Sequence, residues 1–277
     1  MPPDFYYSYE FERAKREVIE LFLEPESESI SPVGMLLGGQ PASGKTKLIR
    51  FIRNNYAERF TIINGDEFRE YHPRYEEIKK LHGLDAPTYT QKFSNAMVEA
   101  VKEECIRRRY NIIIEGTMRN PAVIENTAKE LKKAGYRCEG HVLAIHCDDS
   151  TLGVFQRYEW DWKKTGSGRF SNLDIHDEAY RQIPVNLNTA LQHGWLDRIV
   201  LYCRDNQQAL RSFFSTDREE REKVDFISEF DKARKPVYSK EYYYQRWLEI
   251  QEMARLRGEN HAPYLLQIQQ FIDQYKT

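Results

Sequence analysis

The chain has 277 residues, with 41 Lys and Arg against 43 Asp and Glu and a mean hydropathy of −0.73. A formal net charge of −2 offers no overall basic surface, which disfavours nucleic acid as the main partner. Hydrophobic residues at 40% and aromatic residues at 13% exceed what a disordered chain carries, and no apolar stretch reaches membrane-spanning length. We therefore expect a folded protein that binds neither nucleic acid nor a membrane.

The first predicted element is an amphipathic helix at residues 10–23, followed by an acidic, serine-containing linker. Phe11, Ala14, Val18, Leu21 and Phe22 share one face of this helix. The N-terminal residues contain no apolar signal core, and the four cysteines are scattered without a CxxC pair. These observations predict a cytoplasmic protein with reduced thiols.

Apolar runs and helical patterns then alternate along the chain. The runs that indicate buried parallel strands are 33–37, 60–63, 111–114, 141–145 and 198–202. The helical patterns are 45–56, 73–81, 89–109, 121–134, 150–163 and 174–193. The alternation predicts an α/β fold with a mostly parallel sheet flanked by helices, in which ligands bind at the carboxyl ends of the strands.

The character of the sequence changes beyond about residue 205. A charge-dense stretch at 211–240 precedes two stripes of aromatic and apolar residues at helical spacing, within 242–250 and 264–272. Such stripes could bind a partner protein, but they usually face a core, so we predict a helical appendage packed on the main domain. The predicted divisions are an N-terminal helix and linker (1–30), a core (31–205) and a charged, aromatic helical region (206–277).

The strongest motif directly follows the first apolar run. It matches G-x-x-x-x-G-K-[ST] in full and lies between a predicted strand and a predicted helix. In such a loop the backbone N–H groups and the helix N-terminus bind phosphate oxygens, Lys45 reaches the β- and γ-phosphates, and the Thr46 hydroxyl binds Mg²⁺. The predicted nucleotide-binding residues are Gly39, Gln40, Pro41, Ala42, Ser43, Gly44, Lys45 and Thr46.

Nucleotide binding alone does not define a reaction. The guanine-reading N/T-K-x-D pattern is absent from the sequence, and none of the predicted strands runs directly into an Asp. These absences disfavour a GTPase or a motor and favour a small-molecule kinase, so the α/β fold is predicted to be of the P-loop kinase type.

Polar side chains follow the next two predicted strands. Asp66 lies just past the second strand, where a carboxylate can accept the proton of an incoming hydroxyl, although Asp is equally suited to capping a helix. Glu115, Thr117 and Arg119 follow the third strand. They suit a polyhydroxyl acceptor with anionic groups, or they form a simple polar turn.

Two arginines farther along the chain are candidates for a lid. Arg157 lies on a predicted helix, and Arg169 lies in a glycine-containing loop before the next helix. Small kinases use such arginines to clamp the transferring phosphoryl group and exclude water, whereas a surface position is the simpler interpretation. The seven histidines show no metal-ligand spacing.

In order along residues 31–204, these motifs resemble the zeta-toxin family, the phosphotransferases of bacterial toxin–antitoxin systems. The most specific parts are Asp-x-Phe-x-x-x-His-Pro from Asp66 and Glu-Gly-Thr-x-Arg from Glu115. The resemblance implies a kinase that uses ATP or GTP with Mg²⁺ to phosphorylate the amino-sugar 3′-hydroxyl of UDP-N-acetylglucosamine. It also implies a protein antitoxin that covers the nucleotide site.

The resemblance implies a role for each matching residue. Asp66 would be the general base, Lys45 would clamp the γ-phosphate, and Arg157 and Arg169 would stabilise the transferring phosphoryl group. The implied contacts of the sugar nucleotide are Glu99, Glu115, Thr117, Arg119 and Thr127. We expect Arg119 to converge with the other three cations on one polyphosphate site. Many family members have Gly in place of Ala42, a change that the loop tolerates if φ stays negative there.

Two alternatives remain at the level of sequence. One is a P-loop kinase of another small hydroxyl-bearing metabolite, such as a different sugar nucleotide, a nucleoside or an antibiotic. The other is a nucleotide-dependent regulatory module whose charged C-terminal region engages a protein.

Overall fold

The computed structural model describes residues 9–204 and 210–276. The remaining parts of the three predicted divisions, residues 1–8, 205–209 and 277, lie outside the described residues. The helices are α1 (Tyr9–Phe22), α2 (Lys45–Asn55), α3 (Gly65–Phe68), α4 (Tyr75–His82), α5 (Ala86–Arg108), α6 (Pro121–Lys133), α7 (Cys147–Thr165), α8 (Leu173–Gln192), α9 (Phe226–Ala233), α10 (Lys240–Leu256) and α11 (Ala262–Tyr275). The strands are β1 (Val33–Gly38), β2 (Thr61–Asn64), β3 (Ile112–Glu115), β4 (Arg137–Leu143), β5 (Arg198–Arg204) and β6 (Leu210–Asp217).

These strands form one sheet in the order β2-β3-β1-β4-β5-β6. The first five strands are parallel, and β6 runs antiparallel to β5 at the edge. Every residue of the central strand β1 is buried, as expected for a parallel strand covered by helices on both faces. The predicted α/β fold is confirmed. The loop after β1 therefore lies at the middle of the carboxyl edge, beside the ends of β3 and β4.

Helices cover both faces of the sheet. The predicted amphipathic helix is confirmed as α1, whose buried residues Phe11, Ala14 and Val18 belong to a core shared with α5, α6, α8 and α9. Phe11 meets Phe93 of α5 edge-on, with ring centroids 5.7 Å apart. On the opposite face, α2 inserts Leu48 against β1 and its neighbours. The packing of α2 on this face therefore fixes the end of the loop that joins β1 to α2.

A third core joins the C-terminal helices to α7. The buried residues of α10 and α11 pack against Phe155 and Tyr158 of α7, which confirms the prediction that the C-terminal stripes face a core. The buried C-terminal side chains of this core are Tyr243, Trp247, Ile250, Ala254, Tyr264, Ile268, Ile272 and Tyr275. Below, α10 and α11 together are called the C-terminal hairpin.

The structure differs from the predicted elements at two strands. β4 begins at Arg137, four residues before the predicted run, because it includes Glu139, a fully buried polar residue that interrupts the apolar pattern. His141 satisfies both ring nitrogens inside the core, with Glu139 Oε2 at 2.9 Å and the Tyr202 hydroxyl at 2.8 Å. The sheet also continues past residue 205 through β6, which the sequence pattern did not indicate, whereas the predicted domain boundaries stay a prediction.

The cysteines and the lengths of the helices complete the description of the fold. All four cysteines are free thiols, three of them buried. Within residues 9–204 and 210–276, none of the helices combines the length and the apolar character that crossing a bilayer requires.

Candidate active site

The loop after β1 is shaped by two glycines. Gly39 has φ +154° and Gly44 has φ +106°, and Gly44 leads directly into α2. A Cβ atom at Gly39 would lie 2.5 Å from the Ser43 hydroxyl oxygen, so a side chain there would displace the loop. The curled backbone therefore meets the N-terminus of α2, as an anion-binding loop requires.

Side chains from distant segments hold this loop in place. The Gln40 amide is buried and donates hydrogen bonds to the Ile145 carbonyl at 2.8 Å and to the Ser150 hydroxyl at 3.1 Å. Arg204, at the end of β5, donates to the Ser43 carbonyl at 3.0 Å. The Gln40 side chain thus anchors the loop. Only the backbone of Gln40 is then available to bind a phosphate.

Ala42 corrects one expectation. Its φ is +60°, in the left-handed region, so the condition of a negative φ is not met. The conformation costs an L-residue about 1–2 kcal/mol. The Ala42 side chain also approaches α7 closely, since a Cβ at Gly153 would lie 3.2 Å from the Ala42 Cβ. The loop therefore keeps its shape despite local strain, because its surroundings hold it.

Lys45 and Glu115 face each other beside the loop. The Lys45 ammonium donates to the Gly39 carbonyl at 3.1 Å and lies 3.9 Å from Glu115 Oε1. Burial lowers the pKa of Lys45 although Glu115 and Asp66 oppose that shift. Burial also raises the pKa of Glu115, which Lys45 only partly offsets. For both groups the effect of desolvation on the pKa thus exceeds the attraction between their charges.

Asp66 does not cap the short helix α3. That cap is Asn64, whose Oδ1 accepts the Asp66 backbone N–H at 3.0 Å. The Asp66 carboxylate instead binds Arg169 at 2.8 Å and Arg69 at 3.1 Å. Burial opposes ionisation of Asp66, but the guanidinium groups of Arg169 and Arg69 outweigh it and hold the pKa of Asp66 below its usual value.

Arg69 is a site residue that the sequence analysis did not assign. It is buried, and besides Asp66 its guanidinium donates to the Pro87 carbonyl at 2.7 Å, the Thr90 hydroxyl at 2.9 Å and the Gln91 side chain at 2.8 Å. Arg69 thereby fixes Asp66 against α5. The spacing of three residues between the two partners is the one sequence signal that could have indicated the pair.

The arginine predicted on a helix, Arg157, belongs to the same cluster. Its guanidinium donates to the Ser171 hydroxyl at 2.6 Å, while its buried Nε has no hydrogen-bond partner in the part of the chain that the structure describes. Burial and the neighbouring Arg169 lower the pKa of Arg157. The structure thus brings together Lys45, Asp66, Glu115, Arg157 and Arg169. This cluster carries an excess of positive charge and suits a polyphosphate.

The remaining predicted substrate contacts have other partners. Arg119 forms an ion pair with Glu178 of α8, so the structure shows it beside α8 rather than paired within the Lys45 cluster. Glu99 is exposed on α5 and lies 2.5 Å from the Lys102 ammonium, which also contacts Glu130 of α6 at 2.6 Å. The roles of Arg119 and Glu99 toward a substrate stay predictions.

The oxygen-bearing side chains of the cluster fit a magnesium nucleotide. Thr46 is exposed in the first turn of α2, and Asp66 and Glu115 offer carboxylates, the ligand type that Mg²⁺ prefers. Thr117 and Thr127, the two predicted substrate threonines, are half-buried.

A cleft of about 270 Å³ adjoins the loop, lined by Ser43, Gly44, Lys47, Arg50, Phe51, Asn54, Leu143, Arg204 and Leu210.

Comparison with known proteins agrees with this geometry. The family model described as Zeta toxin matches residues 20–217. The chain belongs to the zeta-toxin family. A zeta-family relative, Toxin zeta of Enterococcus hirae, is 33% identical over 196 residues, covering 70% of this chain and 68% of its own length. Toxin PezT of Streptococcus pneumoniae serotype 4 is 31% identical over 201 residues, covering 72% of this chain and 79% of its own.

Comparison with solved structures shows a similar fold over nearly the whole chain. A structure from the PezAT chromosomal toxin–antitoxin system of Streptococcus pneumoniae aligns over 94% of this chain and 100% of that chain, with a TM-score of 0.74 and 23% identity. An AvrRxo1-ORF1:-ORF2 complex with ATP aligns over 96% and 82%, with a TM-score of 0.55 and 13% identity. The fold class predicted for this zeta-toxin family member, including its helical C-terminal region, is thus confirmed.

Relief of the strained loop residue should stabilise the protein. We expect Ala42→Gly to raise the free energy of unfolding by about 1 kcal/mol, because Gly adopts φ +60° freely, although it also enlarges the entropy of the unfolded chain. Urea denaturation measures the change. Ala42→Val serves as the opposite control and should lower stability, and a loss of stability in Ala42→Gly would contradict the assignment of strain.

The ionisation of Asp66 should depend on its lid partner. Arg169→Ala removes the guanidinium that contributes most to the lowered pKa of Asp66, so that pKa should rise. A carboxyl carbon NMR titration measures it, and Arg119→Ala, which loses a pair with Glu178 instead, is the control. Ionised Asp66 stabilises the fold above about pH 3.9, the unfolded value, and this contribution is lost as the pH falls through the lower folded pKa. An unchanged pKa in Arg169→Ala would contradict the assignment.

Proposed function

We propose that this protein is a cytoplasmic kinase that transfers the γ-phosphate of ATP or GTP to the amino-sugar 3′-hydroxyl of UDP-N-acetylglucosamine. One observation carries the proposal. The Asp66 carboxylate lies at the carboxyl edge of the sheet, close enough to the loop lysine Lys45 for their charges to interact, and it binds Arg169 at 2.8 Å. An acceptor hydroxyl beside Asp66 would therefore face the γ-phosphate that Lys45 binds.

Asp66 would orient the acceptor hydroxyl and accept its proton. Its lowered pKa keeps it ionised at neutral pH, and a low pKa also makes it a weak base. A loose phosphoryl-transfer transition state needs little early deprotonation of the nucleophile, so a weak base in the correct position suffices. Arg69 would hold Asp66 in that position throughout the reaction.

The cations of the cluster would stabilise the charge on the transferring group. Lys45, Arg157 and Arg169 are partly or wholly desolvated, so their electrostatic effect on a phosphoryl group exceeds that of cations in water. Mg²⁺, bound with the help of the Thr46 hydroxyl, would neutralise phosphate charge. Arg169 now binds Asp66 and would be shared with, or transferred to, the phosphoryl group when a nucleotide is present.

The choice of acceptor rests on family resemblance. Glu115 ends β3, the strand next to β1, Thr117 and Arg119 follow it, and Glu99 and Thr127 lie on the flanking helices α5 and α6. The same reaction on another sugar nucleotide, a nucleoside or an antibiotic would use the same cations and the same base. A panel of acceptors therefore decides the substrate without altering the proposed mechanism.

We expect the wild-type protein, incubated with Mg-ATP and a panel of UDP-sugars, to add one phosphate to UDP-N-acetylglucosamine, as read from product masses. Asp66→Asn should lower the transfer rate by about 10²–10⁴-fold without unfolding, because it removes the proton acceptor. Glu76→Gln, which changes an exposed carboxylate on α4, is the matched control. Full activity in Asp66→Asn would contradict the role of Asp66, and transfer only to another acceptor would reassign the substrate.

A protein antitoxin is the partner that the structural likeness supports. One matching structure comes from a toxin–antitoxin system, and another is a complex of two gene products. We expect expression of the wild-type chain to arrest bacterial growth and Asp66→Asn to be tolerated, because the proposed toxicity depends on phosphoryl transfer. Growth should resume when a cognate antitoxin is co-expressed. Equal arrest by wild type and Asp66→Asn would show that toxicity does not depend on the kinase site.

A further inference from the structure

We propose that the C-terminal hairpin is a positioning element for the loop that carries Arg169, and that Tyr264 is the residue that couples the two. This loop, residues 166–172, connects α7 to α8 and is called the lid loop below. The proposal deepens the proposed kinase function and rests on it. It gives the C-terminal region, for which the sequence indicated no role in the reaction, a part in catalysis through Arg157 and Arg169.

The lid loop lies directly on one face of α7. A Cβ atom at Gly168 would lie 2.6 Å from the Tyr158 carbonyl oxygen and 2.8 Å from a ring carbon of Trp162, so only a glycine allows this contact. Phe170, the neighbour of Arg169, packs its ring edge-on against Phe155 at 5.0 Å and Tyr158 at 5.4 Å between centroids. The position of Arg169 therefore depends on where these aromatic rings of α7 stand.

Tyr264 of the hairpin contacts both parts of this arrangement. Its ring stacks on Phe155 at 5.2 Å and meets Phe170 edge-on at 5.4 Å. Its hydroxyl donates to Glu159 Oε1 at 2.6 Å, inside a buried environment. Tyr264 thus joins the hairpin to α7 through a hydrogen bond and to the lid loop through a ring contact.

A residue of the turn between α10 and α11 holds the same segment of α7. Arg257 donates two hydrogen bonds to the Glu159 carboxylate, at 2.9 and 3.0 Å, and its guanidinium lies over the rings of Tyr158 and Trp162 at 5.0 and 5.1 Å. Glu159 is 1% exposed, so loss of either partner would leave part of a buried charge unsatisfied. The segment that holds Arg157 is consequently fixed from the C-terminal side.

The polar contacts of the lid loop do not replace this packing. Arg169 binds Asp66, and Ser171 accepts a hydrogen bond from Arg157 at 2.6 Å. Both contacts use groups that the proposed reaction needs for the phosphoryl group or for the acceptor hydroxyl. Further hydrogen bonds lie at the two ends of the loop, where the Thr165 hydroxyl donates to the Ser167 carbonyl at 2.8 Å and Asn172 caps α8. During turnover the aromatic contacts of Phe170 therefore have to position the middle of the loop, and Tyr264 supplies one of them.

The kinetic test compares variants of Tyr264. Tyr264→Ala should lower kcat by about ten- to a hundredfold and change the KM for the donor nucleotide by about twofold or less, because the misplaced arginines act on charge in the transition state. Tyr264→Phe keeps the ring and should retain kcat within about threefold. Ile272→Ala, a buried residue of α11 in the same core, should lower stability while leaving kcat unchanged.

Two measurements keep the proposal falsifiable if Tyr264→Ala folds poorly or the acceptor is not UDP-N-acetylglucosamine. Phe170→Ala removes the same contact from the lid side, and kcat of the double variant should match that of the poorer single variant. Amide hydrogen exchange on the full chain without substrate should show faster exchange at 166–172 in Tyr264→Ala and Phe170→Ala, but not in Ile272→Ala.

The outcomes separate the two proposals. Additive effects of the Tyr264 and Phe170 variants on kcat, or lid-loop exchange unchanged in both, would overturn the positioning role. An equal loss of kcat in Ile272→Ala would assign the effect to general destabilisation and overturn it as well. Absence of transfer to UDP-N-acetylglucosamine by the wild type, with the exchange result intact, would instead reject the proposed substrate.

Discussion

The ion pairs of Asp66 are the interaction on which the site depends. One partner, Arg69, is buried and tied by three further hydrogen bonds to α5, whereas the other, Arg169, is partly exposed on a loop. The carboxylate thus has one buried partner and one partly exposed partner. The buried partner sets its position at the carboxyl edge, and the exposed partner adds to the positive charge around it.

Several residues around Asp66 are held in states that lower the stability of the fold. Lys45, Arg157 and Glu115 are half-buried, desolvation lowers the pKa of Lys45 and Arg157 and raises that of Glu115, and Ala42 stands at a positive φ. Each of these features is unfavourable by itself, and strain of this kind persists only where the surroundings over-determine it. Here the surroundings are the cores on both faces of the sheet and a third core between α7 and the C-terminal hairpin.

That third core changes how the C-terminal region is understood. The aromatic stripes of α10 and α11 are used for packing rather than exposed for a partner, and the surface that they cover is the back of the helix that carries Arg157. A helix that bears Arg157 on one face and is held by Arg257 and Tyr264 on the other has little freedom to move. Rigid support of this kind is what pre-organised electrostatic catalysis requires.

Much of the fold and part of the site could be predicted from sequence. The loop after β1 is a contiguous motif whose glycines allow the backbone to curl, so its place in the chain needed no tertiary information, whereas the positive φ of Ala42 could not be predicted. The parallel strands carried apolar runs, and Asp66 and Glu115 could be placed because strand ends share one edge. By contrast, β4 began earlier than predicted because it includes Glu139, a buried carboxylate whose partner His141 is itself held by Tyr202 on another strand, about sixty residues away.

The sequence by itself predicted a nucleotide-binding loop after the first strand, and it determined that the C-terminal stripes face a core. Only the tertiary structure decided that Arg69 supports Asp66, that Gln40 anchors the loop, and that Arg119 pairs with Glu178. The physical reason is the separation along the chain between the residues that interact. Turn shape and helix amphipathicity follow from neighbouring residues, whereas ion pairs and buried hydrogen bonds join side chains that approach each other only after the sheet and its helices have packed.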